Sequence, residues 1–237
     1  MADRVALVVG GTGLVGTALI TELVAQSAFD SAFDKVISFG RRPPLVEAPA
    51  LSHRPTDFTD VRCDIEEALA EAGCRPSPSL FAFCALGTTI KKAGSQPAFS
   101  LVDHDYVVAF ATAARAAGAD WFGLVSAAGA DARSAVFYSQ VKGRTEQDVR
   151  AVGFNRLDLF RPGLLIGKRA EPRLAEEIGI VLSPALNALM IGPLAAYRSI
   201  DADKVARAMI AAADQTDKGT FIHSPADMVA LASSADR

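Results

Sequence analysis

The chain has 237 residues, of which 50% are hydrophobic, and a formal net charge of −3. This length is enough to bury one α/β core, and no change of composition indicates a second domain. Because no block of basic residues occurs, nothing favours nucleic acid or an anionic membrane as a partner. The three cysteines are scattered and the first strand begins early, so we expect free thiols, no cleaved leader and a cytoplasmic location.

The first predicted element is an apolar strand, Val5 to Val9, that runs into glycines and then into a helical pattern. Gly10 permits a sharp turn, Gly13 lets the backbone approach a pyrophosphate, and Gly16 allows the helix to pack closely on the strand. The helix N-terminus favours the anion. A tight turn without a ligand is the alternative. The residues expected to contact a dinucleotide here are Gly10, Thr12, Gly13, Leu14, Val15 and Gly16.

Strand and helix patterns then alternate along the chain. Strands are predicted at 35–40, near 56–58, at 79–87, 121–126 and 155–161, and helices at 65–72, 102–117 and 138–150. Such a series implies right-handed crossovers and a doubly wound, mostly parallel sheet of the Rossmann type. We therefore predict an α/β fold in a single NAD(P)-binding domain over 1–237, with a small substrate or lid segment near 168–198. Within it, the apolar stretch 172–193 is expected to close over the cofactor, a fixed dimer contact being the alternative.

The residues after the second and third strands bear on the choice of cofactor. In this fold an acidic residue after strand two binds a ribose 2′-hydroxyl, whereas arginine accommodates a 2′-phosphate. Arg41 and Arg42 stand at this place, and guanidinium groups bind phosphate well. We therefore expect NADP(H) rather than NAD(H), a solvated basic turn being the alternative. Asp57 and Phe58 are placed to meet adenine, and Asp64 competes for that role.

The candidate catalytic residues follow the fifth strand. Tyr138 and Lys142 are four residues apart and therefore share one helix face. Ser126 ends the strand at the edge where the nicotinamide would lie. Ser126 would hold a substrate oxygen, Tyr138 would exchange its proton with that oxygen, and Lys142 would stabilise tyrosinate and bind the nicotinamide ribose. An exposed tyrosine on an ordinary helix is the alternative.

Several short motifs carry a family resemblance. They are the segments 84–89, 92–94, 102–107, 124–131, 138–143 and 160–165. Together with the glycine run they resemble the HIV Tat-interacting oxidoreductase family, in the atypical branch of the short-chain dehydrogenases/reductases, from residue 5 to about 210. The resemblance implies that the cofactor is lined by Leu86, Gly87 and Thr88 on the adenosine ribose side and by Pro162, Gly163, Leu164 and Leu165 near the nicotinamide. Where many superfamily members use an asparagine in a proton relay, the nearest residue here is Asp103.

Two function classes stay open. The first is an NADP(H)-dependent oxidoreductase acting on a small carbonyl or alcohol. The second is an NADPH-sensing regulatory protein with little or no turnover, which would present its surface to a protein partner or a second copy of itself. A sugar-nucleotide epimerase is disfavoured because the region after residue 163 is short for a nucleotide-sugar domain. No histidine or cysteine spacing predicts a metal site.

Overall fold

The computed structural model describes residues 3–26, 33–74, 77–167 and 197–234. Its strands are β1 (Arg4–Val9), β2 (Lys35–Gly40), β3 (Leu51–Pro55), β4 (Ser79–Cys84), β5 (Trp121–Val125), β6 (Arg156–Phe160), β7 (Leu165–Ile166), β8 (Ile200–Asp201) and β9 (Gly219–His223). Its helices are α1 (Leu14–Gln26), α2 (Val61–Glu71), α3 (Ile90–Ala93), α4 (Gln96–Ser100), α5 (Tyr106–Ala116), α6 (Phe137–Val152), α7 (Ala202–Ala213) and α8 (Pro225–Ser234). A π-helical turn, Leu101–Asp105, joins α4 to α5.

The main sheet has the spatial order β3-β2-β1-β4-β5-β6-β9. All six pairings between neighbouring strands are parallel. The strand order reverses direction between β1 and β4, which is the switch point where this class of sheet binds ligands. The doubly wound Rossmann fold expected from the sequence is therefore confirmed. The two short strands β7 and β8 pair with each other beside the main sheet.

The central strand β1 divides the apolar core between the two faces of the sheet. Val5, Leu7 and Val9 face one core, which includes residues of α2, α5 and α6. Ala6 and Val8 face the other, which includes residues of α1, α7 and α8. All five side chains are fully buried, as expected for a parallel strand covered by helices on both sides. Helices packed on both faces of the sheet thus hold its carboxyl edge in place.

Helix boundaries differ from the predicted ones where side chains or tertiary contacts intervene. The predicted helix 65–72 already begins at Val61, because the Asp60 carboxylate caps it by accepting from the Cys63 N–H at 3.2 Å. The predicted helix from 102 is regular only from Tyr106, since the π-helical turn precedes it. The proposed lid, 172–193, lies outside the described residues. None of the helices in the described ranges has the length and apolar character needed to cross a bilayer.

Candidate functional site

The glycine-rich loop lies where β1 meets β4. Gly10 has a φ of +82°, and a side chain there would run into the backbone of Ala85 and Leu86. A Cβ on Gly16 would overlap the Gly10 carbonyl oxygen, so glycine is required for α1 to approach the strand so closely. The Gly13 N–H donates to that carbonyl at 2.9 Å, whereas the first amides of a helix have no acceptor within it. The loop therefore offers an open helix N-terminus to an anion.

The remaining predicted residues of this loop lie at its rim. Thr12 and Gly13 are exposed, Leu14 is half-buried, and Val15 is buried in the core under α1. The backbone of this segment and the exposed Thr12 side chain are thus the parts that a pyrophosphate could reach.

The two arginines after β2 are exposed. Within the described part of the chain, no hydrogen bond or ion pair holds Arg41 or Arg42. They follow a strand next to β1, at the same edge of the sheet as the glycine loop. Their guanidinium groups are therefore available to a phosphate at that edge.

The residues proposed to meet adenine are arranged by local hydrogen bonds. The Asp57 carboxylate accepts from the amide and hydroxyl of Thr59, at 2.9 and 2.7 Å, and these bonds lower the pKa of Asp57. Phe58 stacks on Tyr106, with ring centroids 4.6 Å apart. The competing candidate Asp64 lies in α2, 3.8 Å from the Arg54 guanidinium. The turn after β3 thus presents Asp57 and Phe58, while Asp64 is paired with β3.

The predicted catalytic lysine is held in a buried ion pair. Lys142 Nζ lies 2.8 Å from Asp103 Oδ1, and the two side chains are 7% and 1% exposed. Burial opposes the charge of Lys142, but the Asp103 carboxylate, with a smaller contribution from Tyr138, outweighs it, so that the pKa of Lys142 is raised. Burial raises the pKa of the nearby Cys84 thiol to about 12. The site therefore combines a charged Lys142 ammonium with a thiol, Cys84, that stays neutral at neutral pH.

Tyr138 differs from Lys142 in being accessible. It is 37% exposed, and its ring packs on Phe99 with centroids 5.6 Å apart. The phenol is thus anchored at one side and open to solvent at the other. A phenol open to solvent and close to a buried ammonium is suited to proton exchange with a bound molecule.

Ser126 lies at the carboxyl edge of the sheet, as expected, but its hydroxyl already donates a hydrogen bond within the protein. Its hydroxyl donates to Glu146 Oε1 at 2.6 Å. Glu146 is 1% exposed and also accepts two hydrogen bonds from Arg161, at 2.9 and 2.6 Å, and one from Arg150, at 3.2 Å. The bond to Glu146 raises the pKa of Arg161. The role of Ser126 toward a substrate stays a prediction, and it would require this proton to be redirected.

Sequence reasoning did not identify Glu146 or Arg161 as parts of this network. Each looks locally ordinary, Glu146 as one charge of a polar helix and Arg161 as the residue before a proline. Their spacing of 15 residues gives no helical or strand periodicity that would pair them. Only the packing of α6 against the end of β6 brings them together.

We expect Ser126→Ala to lower the free energy of unfolding by about 1–3 kcal/mol, because the buried Glu146 carboxylate loses a donor. Urea denaturation measures the change. Ser52→Ala, at an exposed strand position, is the control and should change stability by less than about 0.5 kcal/mol. Equal stabilities of the wild type and Ser126→Ala would contradict a structural role for the bond to Glu146.

The segment after β6 returns to the same edge. The Pro162 carbonyl accepts from the Ala128 N–H at 2.9 Å, which ties this segment to the loop after β5. A Cβ on Gly163 would collide with the backbone of Tyr197 and Arg198. Leu164 is 54% exposed, and Leu165 lies in β7. The predicted nicotinamide-side residues thus adjoin the loop that follows Ser126, and their contact with a cofactor stays a prediction. Among the described residues, no group of three or more metal-ligating side chains comes together.

Sequence comparison identifies relatives that align with most of this chain. No protein-family model matches the chain. The chain is 37% identical over 179 residues to the mitochondrial protein fmp52 of Emericella nidulans, covering 75% of this chain and 74% of that protein. It is 37% identical over 176 residues to protein HTATIP2 of Rattus norvegicus, covering 74% and 69%. It is 34% identical over 218 residues to the mitochondrial protein FMP52 of Coccidioides immitis, covering 90% and 87%.

Solved structures share the fold at low sequence identity. MoeE5 in complex with UDP-glucose and NAD is 15% identical, with a TM-score of 0.65, over 97% of this chain and 81% of that one. Bordetella bronchiseptica WbmH in complex with NAD+ is 13% identical, with a TM-score of 0.67, over 94% and 76%. These similarities show that the chain shares the Rossmann-type fold of those structures.

The comparisons also overturn one expectation from the sequence. The fungal relatives are named as mitochondrial proteins, so the predicted cytoplasmic location is wrong. That prediction depended on an early first strand and on free cysteines. Neither feature identifies a compartment, because both describe the fold and the thiols rather than a targeting signal.

Proposed function

This chain belongs to the family of atypical short-chain dehydrogenases/reductases that includes HTATIP2 and fmp52, and from that membership we propose that it is an NADP(H)-binding oxidoreductase. Its substrate class is a small carbonyl or alcohol, and the whole chain, 1–237, acts as one binding domain. The observation that carries this proposal is the pairing of a solvent-accessible phenol, Tyr138, with a buried ammonium, Lys142, at the carboxyl edge of the sheet.

The residues present fit a dinucleotide. A side chain on Gly10 or Gly16 would occupy the space that allows β1, β4 and α1 to lie so close together. The open N-terminus of α1 suits a pyrophosphate. Arg41 and Arg42 supply cations that suit a 2′-phosphate, which supports NADP(H) over NAD(H). When bound, the reduced nicotinamide supplies a hydride to the carbonyl carbon. The protein itself must supply a proton to the carbonyl oxygen and hold that oxygen in place.

Tyr138 is the proposed proton donor in the direction of reduction. Its O–H bond breaks as the new O–H bond of the product alcohol forms, leaving a tyrosinate that the Lys142 ammonium stabilises. In the direction of oxidation the same groups run in reverse, with tyrosinate accepting the proton of the alcohol. Lys142 would also donate a hydrogen bond to the nicotinamide ribose.

A second function is favoured by the geometry of Ser126. Because its proton is given to Glu146, a substrate oxygen would receive one donor fewer than the sequence predicts. A protein that binds NADPH without turnover, and shows a different surface when it does, is consistent with this arrangement. Its partner would be another protein or a second copy of the chain.

A binding and turnover experiment separates these functions. Calorimetric titration should show NADPH binding for either one. With a panel of small aldehydes, ketones and quinones, the oxidoreductase oxidises NADPH above the rate without substrate, as followed by absorbance. If the protein binds NADPH but none of the compounds in the panel causes NADPH to be oxidised, the sensor is favoured. If the protein binds neither NADPH nor NADH, both proposed functions are overturned.

A further inference from the structure

The Asp103 side chain joins three parts of the site that are far apart in sequence. Its Oδ2 accepts from the Thr88 N–H at 2.7 Å, in the loop after β4. Its Oδ1 lies 2.8 Å from Lys142 Nζ in α6. Its main-chain carbonyl accepts from the Thr145 hydroxyl at 2.9 Å, one turn further along α6. A single residue of the π-helical turn thus contacts both a candidate cofactor loop and the helix that carries Tyr138.

The loop passes directly over this ion pair. A Cβ on Gly87 would lie 3.2 Å from Asp103 Oδ1 and 3.6 Å from Lys142 Nζ. The backbone at Gly87 is therefore within contact distance of both charges. With the carboxylate 1% exposed, water cannot replace either of its two partners without opening the loop.

We propose that Asp103 is a positioning residue that holds the Lys142 ammonium close to Tyr138 and ties it to the loop carrying Leu86, Gly87 and Thr88. Asp103 then contacts both α6, which carries Tyr138, and the loop proposed to line the ribose. A neutral asparagine could accept the Thr88 hydrogen bond but could not serve as the counter-ion. This inference rests on the proposed roles of Tyr138 and Lys142.

Within the described part of the chain, three titratable side chains interact with the Lys142 ammonium. They are Asp103 from the π-helical turn, Tyr138 from α6 itself and Cys84 from β4. Burial alone would lower the pKa of Lys142, and Asp103 is the largest contribution in the opposite direction. In Asp103→Asn, Lys142 remains buried but no longer has a negative charge beside it. The pKa of Lys142 should then fall, and the ammonium should lose its proton at lower pH.

The test compares Asp103→Asn with Asp105→Asn. Both remove one negative charge from the same turn, but Asp105 is exposed and contacts His104 rather than Lys142. A pH titration of the lysine ε-carbon signals by NMR, with Lys142 assigned by its loss in Lys142→Met, measures the effect without any turnover. We expect the Lys142 midpoint to move down by about one pH unit or more in Asp103→Asn and to stay in place in Asp105→Asn.

Two further measurements separate positioning from mere stabilisation. Where the wild type turns over a carbonyl, the basic limb of its pH–rate profile should move to lower pH in Asp103→Asn, because activity requires the charged lysine. Asp103→Ala, which also removes the acceptor for Thr88, should weaken NADPH binding about tenfold relative to Asp103→Asn. Equal NADPH affinities of the two variants would overturn the link to the loop.

An unmoved Lys142 midpoint in Asp103→Asn, or an equal shift in Asp105→Asn, would overturn the counter-ion role. If Asp103→Ala does not fold, the shape-conserving Asn variant still decides this point. If the wild type binds NADPH but oxidises none, the proposed enzyme fails, whereas the NMR titration continues to test the ion pair.

Discussion

Replacing Tyr138 by Phe should lower turnover by roughly 10²–10⁴-fold while leaving NADPH affinity unchanged. The substitution keeps the ring and its packing on Phe99 but removes the proton that the proposed mechanism transfers. Steady-state oxidation of NADPH with the best carbonyl of the panel measures the first effect, and calorimetry measures the second. Lys142→Ala should reduce both quantities, because the ammonium is proposed to hold the nicotinamide ribose as well as tyrosinate.

The matched control is Tyr106→Phe, which removes a hydroxyl from a ring stacked on Phe58. It should change turnover by no more than about twofold. An undiminished rate in Tyr138→Phe, with an active wild type, would contradict the assignment of Tyr138 and direct attention to Ser126, Asp103 or a bound water.

A double substitution, Arg41→Ala with Arg42→Ala, should abolish most of the preference for NADPH over NADH. Two charge-assisted contacts to a 2′-phosphate correspond to discrimination on the order of 10²-fold or more at low salt, and less where solvent screens them. NADH affinity should hardly change, because NADH lacks the phosphate that these arginines would bind. Calorimetric titration of both cofactors at two salt concentrations measures the preference.

The control for this pair is Arg62→Ala with Arg144→Ala, which removes the same charge from exposed helix positions. It should leave the ratio of the two affinities intact. Equal affinities of the wild type for NADPH and NADH would contradict the proposed role of Arg41 and Arg42, and would leave the glycine loop as a site that does not distinguish the two cofactors.

Local patterns in the sequence were sufficient to predict much of this fold. The strand ending at Gly10 and the helix after it follow from apolar runs and glycines, which act within a few residues of themselves. The pairing of Tyr138 with Lys142 follows from helical spacing in the same way. The order of the strands follows from rules of chain connection rather than from individual residues.

The contacts that define the site's electrostatics could not be read in this way. Asp103 and Lys142 are 39 positions apart, and Ser126 and Glu146 are separated by 20. Each of these pairs forms because packing buries both partners. A buried charge then requires an opposite charge, and a buried hydroxyl requires a hydrogen-bond acceptor. The sequence identified Asp103 only as the residue nearest to an expected asparagine, and it gave no sign that a carboxylate there meets the lysine.

The π-helical turn contains one residue more than a regular helix would need. The Tyr106 N–H donates to the Leu101 carbonyl, five positions back, so α4 and α5 are joined with an offset. Deleting one residue of the turn would let a continuous α-helix form, but it would rotate the preceding residues by about 100° relative to those that follow. Helical content would survive such a deletion, whereas the orientation of Asp103 toward Lys142 would not. The length of this segment is therefore as much a determinant of the site as the acidic residue itself.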